Sequence, residues 1–232
     1  MKKILSAVLP ISLIPIQLIA ASEAFAIGEN WEETLQDEGI QIYKRTVPGS
    51  KFHEVKGETI FNVPAQQFIG TFLNAVNYKN WVYGTKESYF LSTDSKSKYN
   101  YYIRLAIPWP FEDRDTTSTL ELLRLPNNEG YVAKINEIDD LLPHQNGAVR
   151  LIKFKSLWFL RNANDGKSVK LTIQMHLDPG GNLTPFFVNT TISYIQMWSM
   201  KNLHKMAQSN NLEGHNVNIL DLPIYNPITS QY

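Results

Sequence analysis

The stretch "LTPFFVNTTISYIQMWSMKNLHKMAQ" (183–208) decides the fold. Pro185 suits the first turn of a helix, and Phe187, Val188, Thr191, Ile192, Ile195, Trp198, Leu203 and Met206 recur at helical spacing along one stripe. From Thr184 to Gln208 such a helix runs roughly 37 Å at about 1.5 Å per residue, long enough to lie across an entire sheet. Burying six of its large side chains at ~1.5–3 kcal/mol each is enough to hold it there. What precedes it reads almost entirely as strand.

Working back from that helix, "SVKLTIQMHL" (168–177) turns Val169, Leu171, Ile173, Met175 and Leu177 to one face. "VRLIKFKSLWFL" (149–160) does the same with Ile152, Phe154, Ser156, Trp158 and Leu160, leaving Lys153 and Lys155 on the other face. "DTTSTLELLRL" and "GYVAKINEI" flank the hairpin loop "PNNEG". "KYNYYIRLAI" (98–107) directs Tyr99, Tyr101, Ile103, Leu105 and Ile107 inward and mostly polar residues outward. "IQIYKRTV" and "FHEVKGETIF" form an earlier hairpin around "PGS". Two further helices are predicted. One is short, in "ENWEETLQDEG", and ends at Gly39; the other lies in "VPAQQFIGTFLNAVNYKNWV", with Phe68, Phe72, Leu73 and Val76 at helical spacing. About eight strands joined by short connections require an antiparallel sheet, because parallel crossovers need longer links. The pattern therefore predicts an α+β fold, a curved antiparallel β-sheet with a long C-terminal α-helix. One domain spans 27–208, and an extension without sustained period follows at 209–232.

The N-terminus is set apart from that domain. Lys2 and Lys3 precede the apolar run Ile4–Ala21, and "AFA" (24–26) supplies small residues for cleavage after Ala26. This is the three-part pattern of a secretory signal peptide, so 1–26 is expected to be removed and the protein to be periplasmic or secreted. Pro10, Pro15 and Gln17 interrupt the run and weigh against a membrane anchor. The chain has 22 basic and 22 acidic residues, and losing Lys2, Lys3 and Glu23 leaves a net charge near −1. No global field exists to attract nucleic acid or an anionic membrane. With no cysteine at all, disulfides, thiolate metal sites and thiol nucleophiles are excluded.

Catalytic and cofactor motifs fail on inspection, and neither a catalytic set nor a cofactor is expected. "NDGKS" (164–168) ends like a phosphate-binding loop, but Arg161 stands where the first glycine is needed. The five histidines, at 53, 144, 176, 204 and 215, show no metal-ligand spacing, and His176 and His204 read as surface residues. "PWPFEDRD" (108–115) ends the tyrosine-rich strand with two prolines that cannot donate to a ladder. Its Arg114 and Asp115 read as a local ion pair or turn device. What the chain does supply is aromatic surface: Tyr99, Tyr101, Phe154 and Trp158 on inward faces, with Trp81, Trp109 and Phe111 near strand ends. A sheet wrapped around a helix leaves room for an internal cavity lined by such side chains.

The order of elements, with "GIQIYKRTVPGS" (39–50), "PWPFEDRD" (108–115) and "DPGGNLTPFFVN" (178–189), resembles the START family of lipid-transfer domains. The resemblance covers roughly residues 31–208. It implies a helix-grip fold and non-catalytic binding of one lipid or other apolar small molecule, by a monomer in transient contact with membranes. It also implies a ligand site built from Trp81, Tyr99, Tyr101, Ile103, Leu105, Trp109, Phe111, Phe154, Trp158, Ile173, Met175, Phe187 and Ile195. Phosphatidylcholine-binding members flank a tryptophan with a base and an acid; here "YKNWV" carries Lys79 and Trp81, but Val82 replaces the acid. Leu120 and Tyr101 stand where sterol-carrying members place an Arg–Glu pair. The expectation is therefore a generic apolar ligand. Two alternatives remain: a helix-grip enzyme of cyclase or hydrolase type using Arg104, Glu121, Glu137 or His53, or a sensing module whose tail docks a partner.

Overall fold

A computed structural model describes residues 30–208 and 219–226. The segment read as a signal peptide lies outside the described residues. Ten strands form one sheet: β1 (Glu32–Asp37), β2 (Ile40–Arg45), β3 (Glu54–Phe61), β4 (Thr85–Ser95), β5 (Lys98–Leu105), β6 (Asp113–Arg124), β7 (Gly130–Glu137), β8 (Ala148–Arg150), β9 (Lys153–Ala163) and β10 (Ser168–Asp178). Their order is β1-β2-β3-β10-β9-β7-β6-β5-β4, antiparallel along this path, with the short β8 pairing parallel to β6. Helix α1 (Ala65–Leu73) and helix α2 (Tyr78–Trp81) link β3 to β4, and α3 (Pro185–Gln208) follows β10.

The main core lies between the sheet and the helices. It joins Ile40, Ile42 and Phe61 to Phe68 and Phe72 of α1, Trp158 and Leu171, and Met200 and Leu203 of α3. Side chains of the helix pack directly over Gly57 of β3, where an added Cβ would sit 2.3 Å from Met200 Sδ.

Four elements depart from the sequence pattern. The stretch before Gly39 is strand β1, not helix. Glu38 and Gly39 both take positive φ, 49° and 76°, and make the tight turn that folds Glu32–Asp37 back on β2. Strand β4 is hidden in the sequence because three register irregularities break its alternation. The helix after Pro64 stops at Leu73, where Asn74 leaves helical geometry (φ −94°, ψ 78°), so Val76 faces solvent rather than the core. "VRLIKFKSLWFL" divides into β8 and β9; Ile152 lies in the break and is 59 % exposed.

The last helix spans the predicted residues, but its buried stripe is shifted. Val188, Ile192, Met197, Met200 and Leu203 face inward, whereas Trp198 is half exposed. His204 is also not the surface residue expected. Its Nε2 lies 2.8 Å from Thr59 Oγ1, and its ring stacks on Phe61 at 4.3 Å.

The far face of the sheet carries a second cluster of Leu123, Leu125, Val132, Leu157 and Phe159, closed by Tyr225. Residues 219–226 therefore pack instead of trailing, Tyr225 on this cluster and Leu222 in the main core. The Arg124 amide donates to the Pro223 carbonyl and the Tyr225 amide to the Arg124 carbonyl, each at 2.8 Å.

Candidate functional site: an apolar cavity between sheet and helix

Between the inner face of the sheet and α3 lies a cavity of about 200 Å³. Strand parity builds its wall. In the β5–β6 register Tyr101 faces Ser118, Ile103 faces Thr116 and Leu105 faces Arg114, and all six line the space. Across the sheet Phe154 pairs with Leu177, Ser156 with Met175 and Trp158 with Ile173, and these also line it. Helix α3 closes the cavity with Phe187, Val188, Ile192, Ile195, Gln196 and Leu203, while Phe72, Tyr78 and Trp81 come from α1 and α2.

Ten of the thirteen residues proposed for the ligand site thus border one space: Trp81, Tyr101, Ile103, Leu105, Phe154, Trp158, Ile173, Met175, Phe187 and Ile195. Three do not. Tyr99 packs against the core with its hydroxyl donating to the Lys96 carbonyl at 2.7 Å. Trp109 sits in the β5–β6 loop, 92 % exposed, beyond the end of β5 at Leu105. Phe111 joins a satellite cluster with Phe52, Leu183 and Val188, its ring 6.1 Å from that of Phe187.

The polar part of the wall escapes a hydrophobicity scan. Thr116 and Ser118 fall on the cavity face by parity alone, their hydroxyls 3.1 Å apart. Trp158 Nε1 donates to Ser156 Oγ at 2.9 Å, and Ser156 Oγ donates to the Gln174 carbonyl at 2.9 Å. Arg114 and Asp115 do not pair with each other, since neighbours in a strand point to opposite faces. Arg114 turns inward at 1 % exposure and donates to the carbonyls of Glu112, Pro179 and Gly180 at 2.7, 2.8 and 3.2 Å. It ties the β5–β6 loop to the turn before α3, and burial lowers its pKa. Asp115 turns outward to Arg150 at 2.9 Å.

Burial raises the phenol pKa values of Tyr78 and Tyr101, so both remain neutral hydroxyls. The residues considered for catalysis lie elsewhere. Arg104 binds Asp113 at 2.7 Å, Glu121 faces Lys98 at 3.7 Å, and Glu137 accepts the Phe154 amide at 2.8 Å. The His53 amide donates to Asn189 Oδ1 at 2.8 Å, and its side chain borders a shallow outer groove beside Phe186 and Tyr194. None of the four lines the cavity. Among the described residues no group of three His, Asp or Glu is placed to hold a metal ion.

No family model matches the chain. An uncharacterized protein of Pseudomonas aeruginosa is 21% identical over 184 residues, covering 79% of this chain and 89% of that one. Among solved structures, a STAR-related lipid transfer protein from Xanthomonas axonopodis superposes with a TM-score of 0.70 at 26% identity, over 77% of this chain and 98% of that one. Human STARD10 gives 0.68 at 18% identity, over 89% of each chain. Human StAR-related lipid transfer protein 5 gives 0.69 at 15% identity, over 83% of this chain and 95% of that one. With a curved antiparallel sheet closed around one long C-terminal helix, the chain has the helix-grip fold of the STAR-related lipid transfer domains.

Proposed function

We propose that this protein is a non-catalytic lipid carrier that holds one apolar ligand in the cavity between its sheet and α3. The observation that carries this reading is the wall itself: side chains of five strands and three helices converge on one largely apolar space. Each methylene buried there contributes about 0.8 kcal/mol, so affinity needs no chemistry on the ligand. The similarity to the Xanthomonas lipid transfer protein, 26% identical, supports the same reading.

The ligand is proposed to be loaded outside the cytoplasm, after export directed by residues 1–26. Trp109, 92 % exposed, and the adjoining Phe111–Phe187 pair mark the end of the cavity proposed to touch a bilayer during exchange. Aromatic side chains favour the membrane–water boundary.

The test is mass spectrometry of an organic extract from natively purified protein, together with Met175→Trp, which fills the cavity. A lipid should be recovered from the wild type at near-stoichiometric yield, and the variant should fold yet carry at least tenfold less. Repeatedly empty wild-type protein, or undiminished lipid in the variant, would contradict the reading.

A further inference from the structure

Buried polar atoms are nearly always hydrogen-bonded, and each exception calls for a physical cause. Two exceptions border the cavity: among the described residues, neither Trp81 Nε1 nor the Tyr101 hydroxyl has a group to which it donates. Their side chains are 5 % and 2 % exposed. The rings are held from behind, with Tyr78 lying 5.3 Å from Trp81 and 5.6 Å from Tyr101. The Tyr78 hydroxyl donates to the Phe72 carbonyl. It also lies close enough to the Tyr101 hydroxyl for a hydrogen-bonding contact that partly offsets burial at Tyr101, but its own proton is directed to Phe72, which leaves the Tyr101 proton free to be donated.

We infer that Trp81 Nε1 and the Tyr101 hydroxyl form an acceptor-binding subsite for a single neutral oxygen, the hydroxyl or carbonyl of an otherwise apolar ligand. This rests on the carrier reading and specifies what that carrier holds. The indole N–H is a donor only, and the phenol remains protonated because burial disfavours its anion. Both thus offer hydrogen to an oxygen that arrives with an apolar body.

The same surroundings reject a carboxylate. Lys79, on the same short helix, is exposed to solvent. Arg114, the basic side chain on the cavity wall, lies opposite Leu105 in the β5–β6 register, four residues along the strand from Tyr101. That is about 13 Å at ~3.3 Å per residue. Its guanidinium is already engaged by backbone carbonyls. An ionised headgroup placed at Tyr101 loses its water and gains no counter-charge.

Dodecanol, dodecane and dodecanoate, equal in chain length, separate the possibilities when each displaces diphenylhexatriene from the full chain. Dodecanol should bind about tenfold tighter than dodecane, the worth of one to two buried hydrogen bonds, and dodecanoate no tighter than dodecane. Tyr101→Phe and Trp81→Phe keep a ring and remove a donor. Each should cut the dodecanol preference to about threefold or less with dodecane affinity unchanged. Unliganded Tyr101→Phe should melt no lower than wild type, because a hydroxyl whose proton is free contributes no donated hydrogen bond to the empty fold. A lower melting temperature for that variant would mark a structural hydrogen bond and overturn the inference. Equal binding of alcohol and alkane, as when water already satisfies both donors, or preference for dodecanoate, would overturn it while leaving the carrier reading intact. Failure of all three compounds to bind would remove both.

Discussion

Single residues show how far a local reading reaches. Arg114 and Asp115 are neighbours in sequence and read as a pair, yet strand alternation sends one to the cavity wall and the other to Arg150. His204 reads as a surface residue because it lies off the apolar stripe of its helix. The closeness of α3 to β3 instead presses its ring onto Phe61. Burial holds the His204 imidazole pKa below its usual value, with Glu38 partly offsetting the effect. The folded protein therefore prefers neutral His204, and its contribution is complete above the unfolded value of about 6.5. It is lost as pH falls from there towards the depressed folded value. Stability measured by urea midpoint should drop between pH 7.5 and 5, and His204→Gln should shrink that drop. His53 is lowered in the same direction, so the variant removes only part of it. Asp37 and Asp113 titrate below their ordinary 3.8 and stay out of this window.

At the scale of elements, legibility followed regularity. Strands β5, β9 and β10 set their cavity-facing residues at alternate positions, so those residues are identifiable from parity even though β9 is also buried on its other face. Strand β4 was not, because bulges shift its side chains between faces. Strand β8 is three residues long and pairs parallel to β6, a partner no local pattern specifies. Its anchor is Arg150, which binds Asp115 through Nε at 2.9 Å and Nη2 at 3.3 Å and reaches the Asp139 carbonyl at 3.0 Å. The Asp115 side chain is wholly inaccessible. Arg150→Ala should therefore cost about 3–5 kcal/mol, since it strands a buried carboxylate. Replacing both partners, with Asp115→Asn and Arg150→Leu, should recover much of that loss. Chemical denaturation of the two variants checks the difference; equal losses would show that the latch is worth no more than its packing.

For the whole molecule, the two faces of the sheet do different work. The inner face grips α3 and encloses the cavity. The outer face hides Leu123, Leu125, Val132, Leu157 and Phe159 beneath Tyr225. Deleting 209–232 should lower the melting temperature by several degrees and induce binding of a hydrophobic dye, while lipid uptake stays within about twofold. Uptake falling in proportion to stability would mean that the strap and the cavity are coupled. The amino-acid sequence by itself determined the antiparallel α+β class, the final helix and most of the aromatic wall. Each of these follows from period-2 or period-3.6 burial, which a chain carries locally. Only the tertiary structure decided which face of β6 meets the cavity, where the strap 219–226 docks, and that Trp81 and Tyr101 are left facing it with no described group to donate to. Those outcomes depend on segments meeting across the chain, from Leu105 with Arg114 to Arg124 with Tyr225, and no local spacing encodes that meeting.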